Sequence, residues 1–551
     1  MKKILLFIIS VIEVDLAMAA VFFQAWEPAV GCTVLVMTAG IVVLDRRWRN
    51  QKTLNCSWLL GKALEVSDPD HPKRIGVAAL TQEVLNLGLL AIGSPGAGKT
   101  DSVMLGYISA LQKLSPDSGW AFFDGKGDVD TFKKCVAMKR APDFFFSSEL
   151  PGSQSINLFQ GEAHDVIDRI SKVLIGHTDS TSFYMDEQRT VLSRIVPLLR
   201  QLPVATNLRD LYVTLAVKDA GSELLRRARD AGISPVDVAL ARQWLEQPFA
   251  SRVKNVSGLL NRLFILVAGP YADRINAYQP DIQISDAVAR GNSVYFHLPL
   301  TDYARDIGVA IIEIFAVEAR RRQLEPDTSR FPYPLLFDDW GAFFHDGFGP
   351  FSARCRSARM PLSFGFQSHA QLRAVSSTYA DELDDTIATK IIMRVQGGDT
   401  AQYAVRLLGK HDFLDVGVQH SPRGVESSLR YMRRNRIDER SLRQLQCGEA
   451  YVSSLVRDGE RMRNPLWRLQ FGLPNFGLQK DVSLPPARTH VEGEGLGLWN
   501  RYMNPVALTE IHRVTGRTKR VSEVDTDMRK ARAEARAVIE GNPGLDTDPF
   551  A

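Results

Sequence analysis

Residues 93–100 read Gly93-Ser94-Pro95-Gly96-Ala97-Gly98-Lys99-Thr100. The spacing is G-x-x-x-x-G-K-[ST], and it constrains the fold more than any other stretch. A loop of this pattern works only between a strand and a helix. Its glycines let the backbone wrap tightly, so that successive N–H groups point at one anion. Lys99 would reach the β- and γ-phosphates of a nucleotide, and the Thr100 hydroxyl would ligate Mg²⁺. The helix that starts there adds the positive end of its dipole. The flanks fit this setting: residues 84–92 (VLNLGLLAI) predict a buried strand, and residues 101–111 predict a helix. The octet therefore implies a site for ATP and Mg²⁺.

A chain of 551 residues has room for roughly two to four domains. With 45% hydrophobic and 24% charged residues it has the composition of a globular protein, which excludes a chain disordered throughout. A net charge of +4 gives no global argument for nucleic acid, so any such contact must arise from local arrangement. Cys32, Cys56, Cys135, Cys355 and Cys447 are dispersed, with no C-x-x-C pair and no histidine cluster. This argues for reduced thiols and against a zinc site or a disulfide framework.

The N-terminus carries a second signal. Lys2 and Lys3 precede a mostly apolar run, 4–23; a break at Gln24-Ala25-Trp26-Glu27-Pro28 follows, then an uncharged apolar run, 29–44, and then Arg46, Arg47 and Arg49. Two runs near the spanning length, with basic residues at both outer ends, predict a membrane hairpin with both ends in the cytoplasm. Trp26 and Trp48 fit interfacial positions. A cleaved signal peptide ending near Ala17-Met18-Ala19 is the alternative. It would separate the phosphate loop from cytoplasmic ATP and leave the second run unexplained. Glu13 and Asp15 inside the first run would each cost about 2.5–3.5 kcal/mol at mid-membrane if ionised and unpaired. Pairing within an oligomer, or protonation, would relieve that.

Along the rest of the chain, 118–123 (SGWAFF) predicts a second strand ending in Asp124-Gly125-Lys126-Gly127-Asp128. From about Asp165 to Val267 the pattern is helical, with Val191, Ile195, Leu198, Leu199 and Leu202 on one face. Strand–helix alternation resumes with strands at 293–298, 335–337 and 362–366 and a helix at 307–322. Such alternation implies an α/β fold with a mostly parallel sheet. Segments 450–456 and 462–471 flank Asp458-Gly459, a hairpin signal. The expected organisation is a two-helix membrane hairpin (1–50), a nucleotide-binding domain in two parts (51–164 and 268–478), an all-α insertion (165–267), and a tail (479–551) with a charged helix at 524–540.

Hydrolysis needs a metal-holding acid and a group that orients water. Tyr333-Pro334-Leu335-Leu336-Phe337-Asp338-Asp339 offers both at the carboxyl end of a strand, where open α/β sheets bind ligands. Asp338 would hold Mg²⁺, and Asp339 would polarise the attacking water. Gln367, after the next strand, would sense the γ-phosphate through its amide. Three arginines, Arg354, Arg356 and Arg359, precede that strand. They could form a solvated helix face, or one could enter a neighbouring subunit's site and stabilise phosphoryl charge.

These motifs together resemble the TraG/TraD-type coupling proteins of conjugative type IV secretion, over roughly residues 50–473 and the N-terminal hairpin. Phe122-Phe123-Asp124-Gly125-Lys126-Gly127-Asp128 is similar to the family's strand followed by D-P-K-G-[DE], with Gly125 in place of proline. Ile284-Ser285-Asp286-Ala287 and 291–298 resemble the stretch before the next strand. Arg356-Ser357 followed by Phe366-Gln367-Ser368 and Gln371-Leu372 resembles the arginine-to-glutamine segment, which singles out Arg356 as the finger. The family usually has Asp-Glu where this chain has Asp338-Asp339, so the carboxylate at 339 is one methylene short.

The resemblance implies a RecA-like, homohexameric ATPase tethered in the bacterial inner membrane. It would bring a relaxase-bound single DNA strand, or a protein substrate, to a type IV secretion channel. Two other functions compete with it. A translocase of double-stranded DNA, FtsK/HerA-like, would share the phosphate loop, the acids and the ring. A membrane receptor that recruits secretion substrates would use nucleotide as a structural ligand only.

Overall fold

The computed structural model describes residues 57–138, 141–150, 152–175, 182–269, 272–326, 330–339, 341, 343, 348–375, 383–421, 424–458, 461–476 and 495–503. The expected membrane hairpin, with Glu13 and Asp15, and the charged helix at 524–540 lie outside them. Among the described residues no helix is long and apolar enough to cross a membrane.

Ser57–Glu65 (β1) and Lys73–Thr81 (β2) open the described chain as an antiparallel hairpin. Seven short strands follow: Leu89–Ile92 (β3), Ala121–Asp124 (β4), Phe144–Ser147 (β5), Val294–His297 (β6), Leu335–Asp338 (β7), Leu362–Phe366 (β8) and Thr389–Ile392 (β9). Lys410–Ser421 (β10) and Gly424–Asn435 (β11) pair only with each other. Glu449–Ser453 (β12), Val456–Asp458 (β13), Arg461–Arg463 (β14) and Leu466–Gln470 (β15) complete the set.

Eleven strands form one sheet in the order β2-β1-β15-β12-β9-β3-β8-β7-β4-β6-β5. From β9 to β5 every pairing is parallel. The other four strands extend it antiparallel. The central strands are buried on both faces, as parallel strands covered by helices must be. Alternation along them sorts side chains into two cores. Leu89, Ala91, Phe122 and Leu336 pack with the helix Leu105–Leu114, whereas Leu90, Ile92, Phe123 and Phe337 face the long helix Asp302–Gln323 and the helical block. Phe123 stacks between Phe296 and Phe337, with ring centroids 4.9 and 4.7 Å away.

Between Ala163 and Ile275 every named element is helical. The stripe predicted on Val191, Ile195, Leu198, Leu199 and Leu202 is buried; its first four residues lie on the helix Ser182–Gln201, and Leu202 directly follows it. The next helix, Leu208–Ala216, starts with a reciprocal cap in which Asn207 and Asp210 satisfy each other's backbone N–H.

Three expectations need correction. Residues 84–92 are not one strand. The Thr81 side chain caps a short helix, Gln82–Leu85, and Gly88 turns with φ +86° before β3 begins. The strand expected at 118–123 begins only at Ala121. The two long strands expected around Asp458 are each divided, β12 from β13 and β14 from β15. The outer turn pairs locally while the inner strands join the main sheet. Pro465, which has no N–H to donate, stands at the break before β15.

Candidate functional site

The phosphate loop sits where β3 ends. Gly96 and Gly98 have φ of +72° and +99°, conformations that side chains rarely adopt, so glycine is required at both. Neighbouring strands hold the loop through the backbone. Gly93 N donates to Phe366 O (3.3 Å), Ser94 N to Arg394 O (2.8 Å) and Gly448 N to Ala97 O (2.9 Å). Pro95 lies between these anchors. The helix that follows is wound as a π-helix over Lys99–Met104 before it becomes α-helical at Leu105–Leu114. Lys99 is buried, and its Nζ donates to Gly93 O (2.5 Å) and Ser94 O (3.4 Å). Burial lowers its pKa, opposed by the nearby Asp338 and Asp339.

The strand order assembles the remaining groups. β8 lies between β3 and β7, so the residues after these three strands meet at one carboxyl edge. Thr100 Oγ1 donates to Asp338 Oδ2 at 2.7 Å, joining two residues far apart in sequence. Asp338 Oδ1 is buried and has no hydrogen-bond partner among the described residues. Gly365 keeps that oxygen uncrowded, since a Cβ there would lie 3.1 Å from it. A hydroxyl beside a carboxylate oxygen with no partner is a donor set that suits Mg²⁺. Burial pushes the Asp338 carboxyl up to about 6, against the Thr100 hydrogen bond and the charge of Lys126.

Asp339 has φ +54°, one of two described non-glycine residues with positive φ. Short acids tolerate this region better than most side chains. Its Oδ1 accepts from Gln367 Nε2 at 2.8 Å, and Gln367 N donates to Gln371 Oε1 at 3.3 Å. The structure thus brings Gly93–Thr100, Asp338, Asp339 and Gln367 together.

Arg356 is not among them. It lies on the helix Phe348–Ser357, at the amino edge of the sheet, in a recess shared with Glu83, Asn86, Leu87, Ser357 and Arg359. Its side chain is exposed, as is that of Arg354. Arg359 has φ +53° and donates to Arg330 O at 2.9 Å.

One site residue escaped the reading of roles from sequence. Lys126 Nζ lies 3.8 Å from Asp339 Oδ2. The signal was present in Asp124-Gly125-Lys126-Gly127-Asp128, where a lysine occupies the turn after a strand that proves to neighbour β7. The register aligns Asp124 with Asp338.

Residues 345–446 match the family described as the TraM recognition site of TraD and TraG. No curated protein matches the chain. Among solved structures, the chain is similar to the bacterial conjugative coupling protein TrwBdeltaN70 in its trigonal form with sulphate. That likeness has 14% identity, covers 78% of this chain and 97% of the other, and has a TM-score of 0.52. The plasmid coupling protein TrwB in complex with the GTP analogue GDPNP matches at 15% identity, 77% and 96% coverage and a TM-score of 0.51. The same protein with the ATP analogue ADPNP matches at 14%, 76% and 96%, with a TM-score of 0.50. At these identities the likeness is one of fold.

Proposed function

We propose that this chain, a TraG/TraD-type coupling protein by its matched segment and its fold, is an ATPase that moves substrate into a type IV secretion channel during conjugation. The Thr100–Asp338 pair carries the reading, because it sets a metal-holding hydroxyl and acid against the phosphate loop. The backbone N–H groups of Gly96, Gly98, Lys99 and Thr100 bind the phosphates, and the Lys99 side chain leaves the carbonyls of Gly93 and Ser94 to reach them. Thr100 and Asp338 would hold Mg²⁺, which would supply positive charge to offset that of the phosphates. Asp339 orients the attacking water, and the Gln367 amide fixes the Asp339 carboxylate. Arg356 of a neighbouring subunit stabilises charge as the bond between the γ-phosphorus and the bridging oxygen breaks. In a homohexamer each active site would then be completed across an interface.

Residues 1–50 anchor the chain in the inner membrane, with the body in the cytoplasm. Segment 345–446 recruits a TraM-like protein of the DNA-processing complex. The cargo is a relaxase-bound single DNA strand or a protein substrate.

A second reading, a substrate receptor that binds nucleotide without turnover, is favoured by one observation: both carboxylate oxygens of Asp339 already have partners, Gln367 and Lys126. Purified protein separates the two. The motor reading expects Mg²⁺-dependent ATP hydrolysis that rises with single-stranded DNA and is absent in Lys99→Ala. Hydrolysis no higher than in Lys99→Ala, with or without DNA, would leave the receptor reading.

A further inference from the structure

The turn after β4 is built around one buried carboxylate. Asp124 is 1% exposed. Its Oδ1 accepts from Lys126 N (3.0 Å) and Gly127 N (3.1 Å). Its Oδ2 accepts from Asp128 N (2.8 Å) and from the hydroxyl of Tyr295 (2.8 Å). Three successive backbone N–H groups therefore curl around one side chain. Gly125 N adds a bond to Asp338 O at 3.2 Å, which ties the turn to the strand bearing the metal-holding acid. Gly127 has φ +68°, and a Cβ there would lie 2.6 Å from the Pro299 Cβ, so the turn has little room to shift. The backbone at residue 126 is fixed, and its side chain is thrown towards the phosphate loop.

At the end of that side chain the contact is loose. Lys126 Nζ is 3.8 Å from Asp339 Oδ2, and the lysine side chain is 39% exposed whereas that of Asp339 is 8% exposed. A pair this long, with one partner open to water, is weakly held. The ammonium also lies within electrostatic reach of the phosphate loop: its charge opposes protonation of both Lys99 and Asp338. Two lysines, one from the loop after β3 and one from the turn after β4, thus face the same carboxylate pair. A terminal phosphate bound at the loop would offer three charged oxygens to the second lysine, a stronger partner than one distant carboxylate.

We propose that Lys126 is a γ-phosphate sensor acting within the chain: with no γ-phosphate present it rests on Asp339, and when ATP binds it transfers to the γ-phosphate. The exchange frees one oxygen of Asp339 for the attacking water while Gln367 keeps hold of the other. Asp339 is thereby held back until the nucleotide is a triphosphate. Asp124 is the positioning residue that presents the lysine. This deepens the proposed ATPase reading and rests on it.

The test is binding of the full-length protein, by titration calorimetry, to ADP and to a non-hydrolysable ATP analogue, each with Mg²⁺. Lys126→Met should weaken the analogue about tenfold to a hundredfold, the effect of one charge-assisted hydrogen bond, and change ADP affinity less than about twofold. Lys126→Arg, which keeps the charge, should recover most of the loss. Equal weakening of both nucleotides would mark Lys126 as a structural prop and overturn the proposal, as would unchanged binding of the analogue. Wild-type protein that binds neither nucleotide would overturn the ATP-site reading itself, and this inference with it.

Discussion

At the carboxyl edge of the parallel strands Thr100 is bonded to Asp338, Asp339 to Gln367, and Lys126 lies beside Asp339. At the amino edge Arg356 stands exposed in a recess beside Glu83, and among the described residues no side-chain hydrogen bond or ion pair holds it. The first edge is a site whose groups are already positioned by one another, and such preorganisation is what a phosphate and a metal require. The second edge has arginines and the acid Glu83, but among the described residues no phosphate loop or paired acids for Arg356 to act on. The contrast teaches that the two edges need not serve the same copy: a ring that sets one subunit's amino edge against the next subunit's carboxyl edge would give Arg356 a phosphate to meet.

The largest effect is expected at the first edge. Asp338→Ala removes the acid proposed to share Mg²⁺ with Thr100, and turnover should fall below detection while Mg²⁺-free nucleotide binding persists. Measuring both on one preparation keeps a folding defect from passing as a catalytic one. Substantial Mg²⁺-dependent turnover in this variant would break the assignment of the edge.

Next comes the second edge. Arg356→Ala should lower hydrolysis by about a thousandfold, the range in which arginine fingers act. Mixing it with Lys99→Ala protein should restore part of the activity, because some interfaces then combine an intact phosphate loop with an intact arginine. An inactive mixture would leave Arg356 with a role inside its own subunit, and the contrast between the edges would lose its meaning.

The smallest effect concerns protons. Burial pushes Asp338 up to about 6 from an ordinary 3.8. The folded chain therefore favours the protonated acid, and that contribution to stability is lost as pH rises from about 4 to about 6. Mg²⁺ requires the ionised form. Mg²⁺-nucleotide affinity should fall severalfold as pH is lowered from 7 through 6, and the fall should be absent in Asp338→Asn. A flat profile in the wild type would mean that the acid is not the metal's partner.

Much of the carboxyl edge was legible in the sequence because its chemistry is local. The phosphate loop is eight contiguous residues, and Asp338-Asp339 and Gln367 each follow a short apolar run that reads as a buried strand once the phosphate loop implies a sheet. Their meeting depends on β8 lying between β3 and β7, which the order of elements suggests but does not impose. Lys126 was less visible because its role comes from register: only the pairing of β4 with β7 sets its turn beside Asp339. The hairpin of β10 and β11 was missed altogether. Leu414, Val416 and Val418 alternate along β10, but β11 runs through Arg430-Tyr431-Met432-Arg433-Arg434, all exposed, so no period-2 apolar run marks the partner strand there. The short helix Gln82–Leu85 was hidden for the opposite reason. Its Val84 and Leu85 run on into the apolar stretch that leads to β3, and only the Thr81 cap and the Gly88 turn set it apart.

The central claim is that nucleotide turnover at Gly93–Thr100 drives cargo into a secretion channel. A transfer assay in the native host, with Lys99→Ala replacing the wild-type chain at equal abundance, tests it most directly. The account predicts that the variant still reaches the inner membrane and that transfer of DNA and protein cargo stops. Transfer at the wild-type rate would contradict it.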